Sequence, residues 1–196
     1  MRFVQPIKDI KKVSQIKNTL RGEGNIRDLL LFELGINSAL RASDLLRIQV
    51  KDLFTVFKTA RESFEIKQKK TGKVARITIT PKVRETLALY AKTFPTVLDS
   101  RENFVFFAKK SFPLGSKGIG RIQAWKIIQW MCYDAGLHGS FGTHSLRKTF
   151  WYQARQNGIG IELIQFRLSH ANIRETKLYL WISDEELAEA CNKLDL

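Results

Sequence analysis

Four short segments of the chain carry side chains able to work on a phosphate ester. Thr143-His144-Ser145-Leu146-Arg147-Lys148 sets a histidine and an arginine three positions apart. At a helix start both project from the same face. Arginine clamps two oxygens of an anion and histidine handles a proton. Ser169-His170-Ala171-Asn172 is followed by Tyr179, nine positions after His170. Leu40-Arg41-Ala42-Ser43-Asp44-Leu45 offers a second arginine beside a carboxylate, and Lys70-Thr71-Gly72 offers a lysine at a turn. Each segment also has an ordinary reading. His144 and Arg147 would sit on a solvated helix face, and a tyrosine between apolar residues is usually core. Arg41 and Asp44 would form a surface ion pair, and a lysine-rich tip would be a solvated edge.

The elements that must position these groups follow from periodicity. Ile10, Val13, Ile16 and Leu20 fall at helical spacing over 8–20, after Pro6. Asn25 can cap a helix from Ile26 to Leu34, with Gly35 as its stop, and the run Leu29 to Phe32 predicts a buried helix. A short helix is expected over 42–48, with Ser43 and Asp44 in its first turn. Phe64 to Gln68 and Val74 to Thr80 alternate apolar and polar residues around Lys69-Lys70-Thr71-Gly72-Lys73. That pattern predicts a β-hairpin with a basic tip, to which Val56-Phe57 would add a third strand. Thr80-Pro81 opens a helix to about residue 93, and Phe104–Phe107 reads as a strand or a buried loop. Further helices are expected over 121–135, with Ile122, Trp125, Ile128, Met131 and Cys132 on one face, and over 145–156, 161–168 and 173–180. Ser183-Asp184-Glu185-Glu186 resembles a capping box that opens a terminal helix carrying Leu187, Cys191 and Leu194 on one face. The fold class is mainly α with a small antiparallel β-sheet.

The 196 residues suit one domain, and 44% hydrophobic composition is too high for a disordered chain. No apolar run approaches the ~20 residues of a membrane span, and the N-terminus lacks the apolar core of a signal peptide. Cys132 and Cys191 have no metal or redox spacing, so a reduced, cytoplasmic setting is the expectation. The net charge of +14 points to a polyanionic partner, most often nucleic acid. Lys67, Lys69, Lys73, Arg76, Lys109, Lys110, Lys117 and Arg121 are candidate phosphate contacts, which position a protein on DNA without reading its sequence.

Taken in order, Leu-Arg-x-Ser-Asp-Leu, Lys-Thr-Gly in a hairpin, His-x-x-Arg, and Ser-His followed by a tyrosine nine positions on, the set resembles the tyrosine recombinase (phage integrase) family. The resemblance spans residues 8 to 180 and fills seven family positions with Arg41, Asp44, Lys70, His144, Arg147, His170 and Tyr179. Ser169 departs from the glycine common in the family. The resemblance implies the DNA breaking-rejoining fold and cleavage through a 3′-phosphotyrosyl link. In those implied roles Tyr179 is the nucleophile and Arg41 and Arg147 hold the nonbridging oxygens. His144 is the general base, His170 a phosphate hydrogen-bond donor and Lys70 the acid for the leaving 5′-oxygen. Asp44 would orient Arg41 or a histidine. Lys69, Lys73 and Arg76 would contact DNA.

No cofactor is implied, because the covalent link keeps the phosphodiester energy. Metal catalysis would be a competing use of two histidines and a carboxylate, but no compact ligand set such as His-Glu-x-x-His is present. Tyr133 and Tyr152 are the other conceivable nucleophiles, out of place relative to His170. The related chemistry of a type IB topoisomerase and a non-catalytic DNA-binding regulator of the same fold are the alternative functions.

Most family members place a helical core-binding domain before the catalytic one. Here residue 8 already starts the catalytic domain, so the expected organisation is a catalytic domain over 1–182 and a tail over 183–196, without an N-terminal core-binding domain. The chain would be a fragment of a longer protein or a naturally short recombinase, like the inversion recombinases of bacterial fimbrial switches. The tail holds five acids and one lysine, a net of −4, which suits a protein contact. It would dock on a neighbouring subunit or fold back on its own domain. The expected partners are double-stranded DNA and other recombinase subunits, as a tetramer on DNA and a monomer or dimer when free, in a bacterial, phage or archaeal cell.

Overall fold

The computed structural model describes residues 4–168, 171–180 and 192. Helix α1 (Ile10–Gly22) starts where the Asp9 carboxylate accepts from the Lys11 N–H at 2.7 Å, and it buries Val13, Ile16 and Leu20, whereas Ile10 in its first turn is exposed. Helix α2 (Ile26–Ser38) is the central element, packed by α1 and by two later helices. Its buried Arg27 is tied to Asp28 at 2.6 Å and donates to the Phe107 carbonyl at 2.7 Å, so its charge is balanced inside the core. Asn25 does not cap α2 through its side chain, which donates to Glu23 instead.

Gly35 does not stop α2. The helix continues to Ser38 and ends at Ala39, which adopts the left-handed conformation at φ 53°. A side chain at position 35 would collide with Leu146 of a crossing helix, so the glycine serves close helix–helix approach.

The helix expected over 42–48 is shorter, α3 (Ala42–Leu45), and is followed by a separate turn, α4 (Val50–Leu53). The interruption has a partner. Val105 N–H donates to Ile48 and Val50 N–H donates to Asn103, so the 103–105 backbone takes the groups a continuous helix would use. Phe104 makes one bridge to Gln49, and Val105, Phe106 and Phe107 are buried, which makes this stretch a core strand segment.

Strands β1 (Ser63–Lys67) and β2 (Val74–Thr78) form the sheet, antiparallel, with Ser63 opposite Thr78 and Lys67 opposite Val74. Phe64, Ile66 and Ile77 face the core, as the alternation requires. At the tip Gln68 N–H donates to Lys73 and Gly72 N–H to Gln68, with Gly72 at φ 69°. Val56 and Phe57 add no third strand. They are 71% and 84% exposed in a turn closed by Thr55 N–H to Thr59, beside a single Phe54–Ala60 bridge.

Helix α5 (Pro81–Thr93) matches its expected span, with Pro81 in the first turn, though Thr80 makes no side-chain cap. A short 3-10 turn, Pro95–Asp99, follows. Helix α6 (Arg121–Asp134) buries Ala124, Ile128, Met131 and Cys132. Ile122 and Trp125 do not share that face: Ile122 is 73% exposed. Gly136, at φ 69°, ends the segment. Helix α7 (Thr143–Gln156) begins two residues earlier than its periodicity suggests, because Ser145 Oγ accepts from Gly142 N–H at 3.1 Å.

Helices α8 (Ile161–Leu168) and α9 (Ile173–Leu180) pack on α7 through a second, smaller core of Trp151, Ile164, Leu168, Leu180 and Ala39. Asn172 caps α9 by accepting from the Glu175 N–H at 2.9 Å, and the Glu175 carboxylate accepts from the Ala171 N–H at 3.1 Å. Among the described residues no helix is long and apolar enough to cross a membrane. Ser169, His170 and the expected tail helix with Leu187, Cys191 and Leu194 lie outside the described residues.

Candidate active site

Arg41 stands at the N-terminal edge of α3, in extended backbone just after the left-handed turn at Ala39. Arg147 lies on α7 and donates to the carbonyl of that same Ala39. The turn that ends α2 therefore fixes both guanidinium groups, and both line one cleft of about 440 Å³. Gln68, Thr71, Lys73 and Arg76 of the hairpin form its opposite wall, with Trp151 and Phe166 at the α7–α8 side.

The hairpin is clipped to the arginine loop at two points. Arg41 donates to Gln68 Oε1 at 2.6 Å, and Asp44 Oδ1 accepts from the Lys69 N–H at 2.9 Å. Asp44 is fully buried and pairs with Arg47 at 3.3 Å, while Arg47 also reaches the Lys67 carbonyl. Among the described residues Asp44 thus holds the hairpin and Arg47 rather than the Arg41 guanidinium or His144. Lys70 is exposed at the tip between the cleft-lining Gln68 and Thr71. Lys69 and Lys73 are exposed, and Arg76 is exposed with its guanidinium near Ser63 Oγ at 3.3 Å.

Tyr179 lies half-buried on α9, within the charge field of the two cleft arginines, Arg147 and Arg41. Burial pushes the phenol above its ordinary pKa, while Arg147 and, less strongly, Arg41 pull it down. His144 moves the other way. Its desolvation comes first, then the charges of Arg147, Arg121, Lys148 and Arg41, and together they push its imidazole below the usual histidine value. A histidine held neutral and a phenol held protonated are the two states from which general-base activation starts. Burial also lowers the Arg147 guanidinium, offset chiefly by Tyr179, yet an arginine stays charged.

Arg41, Asp44, His144, Arg147 and Tyr179 therefore form one electrostatic cluster, with Lys70 on the adjoining hairpin. His170 lies outside the described residues. Tyr133 is exposed on α6 near a separate hollow of about 180 Å³ lined by Cys132 and His138. Tyr152 is buried with Lys8 over its ring. Among the described residues no group of three or more His, Cys, Asp or Glu side chains could hold a metal ion.

Two participants were not legible beforehand. Lys148 is buried on α7 with its Nζ 5.2 Å from the Tyr179 ring centroid. A signal for it exists: positions 144, 147 and 148 stand at i, i+3 and i+4 and share a helix face. Gln68 had no such signal, because its bond to Arg41 spans 27 positions.

Residues 7–186 match the phage integrase family. The chain belongs to that family. A Bacillus subtilis protein named "Probable integrase/recombinase YoeC" is 36% identical over 194 residues, covering 99% of this chain and 98% of that protein. Tyrosine recombinase XerD of Staphylococcus haemolyticus is 25% identical over 193 residues, covering 94% of this chain and 61% of its own. Among solved structures, XerA recombinase superposes with a TM-score of 0.72 at 17% identity, over 96% of this chain and 65% of that one. XerH recombinase bound to its palindromic difH substrate, a post-cleavage complex, superposes at 0.69 and 17% identity, over 98% of this chain and 54% of that one. The fold is thus that of the tyrosine recombinase catalytic domain. The chain spans nearly all of the Bacillus relative and little more than half of most others.

Proposed function

We propose that this phage integrase family member is the catalytic unit of a site-specific DNA recombinase that cuts and rejoins strands through Tyr179. One observation carries the reading. Tyr179 on α9 lies within the charge field of Arg147 and Arg41, the two arginines that line one cleft opposite a hairpin tipped by Lys70.

In the proposed step the scissile phosphate lies across Arg41 and Arg147, whose forked donors hold its two nonbridging oxygens and offset the charge that grows in the transition state. His144, neutral near physiological pH, takes the phenol proton as the Tyr179 oxygen bonds to phosphorus. The bond from phosphorus to the 5′-oxygen breaks, and Lys70 donates the proton that the leaving alkoxide needs. Attack by a 5′-hydroxyl on the phosphotyrosine reverses the sequence, with His144 returning the proton to Tyr179. The phosphate replaces Gln68 on Arg41, which frees the hairpin to bring Lys70 in. Lys69, Lys73 and Arg76 contact neighbouring phosphates, and His170 completes the phosphate's hydrogen bonds.

The partners in this reading are duplex DNA and further copies of the chain, assembled as a tetramer on DNA in the bacterial cytoplasm.

The test starts from genomic fragments selected by the Tyr179→Phe protein, which binds without cutting. A duplex of the selected site with a bridging 5′-phosphorothiolate should trap wild-type protein as a denaturant-stable adduct and leave Tyr179→Phe unattached. An adduct that persists in Tyr179→Phe refutes the nucleophile assignment. Relaxation of any plasmid, regardless of site, would instead favour a topoisomerase.

A further inference from the structure

The catalytic cluster contains a buried cation that the seven family positions do not include. Lys148 follows Arg147 on α7 and is only 5% exposed. Its Nζ stands over the Tyr179 ring, 5.2 Å from the centroid, while the charge of Arg147 acts on the phenol of the same side chain. Two consecutive residues of one helix therefore act on the nucleophile, Lys148 over its ring face and Arg147 through its charge. Leu180 and Thr176 of α9 are fully buried on either side, so the tyrosine's backbone is fixed by packing and its ring by these two cations.

We propose that Lys148 is a positioning residue for Tyr179, fixing the plane of the ring and supporting its ionised form. The proposal rests on Tyr179 being the nucleophile. An ammonium is drawn to the negative face of an aromatic ring, more strongly where water is excluded. The attraction rises as negative charge builds on the phenol during attack, so the contact favours the reacting form over the resting one. Among the described residues the other charges that act on the phenol are Arg147 on α7 and Arg41 at the edge of α3, with Asp44 of α3 and His144 of α7 coupled to those arginines. Arg147 is occupied with the Ala39 carbonyl, and in the proposed reaction it must also bind phosphate. Lys148, buried behind the ring, keeps its hold on Tyr179 while Arg147 turns to the phosphate. Burial lowers the Lys148 pKa, but the cation–ring geometry carries the inference.

The test compares Lys148→Met, which keeps the length and removes the charge, with Lys148→Arg, which keeps a cation. In the full chain labelled with [¹³Cζ]tyrosine, the Tyr179 signal is assigned by its loss in Tyr179→Phe. Its titration midpoint should move up by about one pH unit in Lys148→Met and stay near wild type in Lys148→Arg. A midpoint unchanged in Lys148→Met, in a variant with wild-type amide spectra, overturns the proposal, and this readout needs no DNA. With the phosphorothiolate duplex, Lys148→Met should form adduct about tenfold more slowly at neutral pH and regain rate as pH rises, with DNA affinity unchanged. A rate reduced equally at every pH, and equally in Lys148→Arg, would mean that Lys148 only packs. Failure of the nucleophile reading looks different: adduct would persist in Tyr179→Phe whatever stands at 148.

Discussion

The Asp44 carboxylate holds the Lys69 backbone N–H at 2.9 Å, one residue before the hairpin lysine assigned as the proton donor. A buried acid on the arginine helix thereby sets where the Lys70 tip rests. Asp44→Ala should loosen the hairpin, since a hydrogen bond to a charged group contributes about 1.5–3 kcal/mol. Amide hydrogen exchange at residues 69–72 should quicken, and Asp44→Asn, which keeps an acceptor oxygen, should fall between. Protection equal to wild type in Asp44→Ala would remove this role.

Position 35 tests how tightly α2 and α7 are packed. Glycine to alanine inside a helix gains about 1 kcal/mol in propensity, whereas overpacking a filled interface costs about 1–3 kcal/mol. The new methyl would meet not only the flexible Cδ1 of Leu146 but also its Cβ at 3.1 Å, which moves only if α7 moves. Gly35→Ala should therefore be destabilised, with a lower denaturant midpoint and an unchanged m-value. A raised midpoint would show that Leu146 yields freely.

His144 is held below the ordinary value of 6.5 by desolvation and then by Arg147 and Arg121. Its ring signal in an NMR titration should reach its midpoint below that value, and Arg121→Gln should move the midpoint up. The unfolded chain binds this proton more readily than the folded one. Stability linked to His144 is thus intact above about 6.5 and declines as pH falls toward the folded value. A midpoint at or above 6.5 in the wild type would contradict the crowding of cations around the imidazole.

Cys132 is buried in α6, and burial pushes its thiol up to about 12. In a Cys191→Ser background the folded protein should resist a thiol-disulfide reagent at about pH 8, where an ordinary cysteine reacts within minutes. Guanidinium chloride should restore full reactivity. Rapid labelling of the folded state would show that α6 opens to solvent.

The sequence alone determined the secondary structure wherever one face of an element carried the burial. Val13, Ile16 and Leu20 marked α1, and Phe64 and Ile66 against Ile77 marked the hairpin. It also determined the candidate residues, because catalysis on a phosphate demands particular side-chain types and Arg41, Lys70, His144, Arg147 and Tyr179 stood in a recognisable order. Where an element's limits depended on distant neighbours, local pattern failed. Gly35 reads as a stop until Leu146 is seen crossing it, and 42–48 reads as one helix until residues 103–105 take its backbone groups. Val56-Phe57 has strand-like composition but no strand to pair with. The same holds for the site. Periodicity carries no record of Gln68 on Arg41 or of Lys148 over Tyr179, because both contacts join residues far apart in the chain. Which groups can react was written in side-chain chemistry; which group holds which is decided by tertiary packing, where long-range contacts and burial set both geometry and charge.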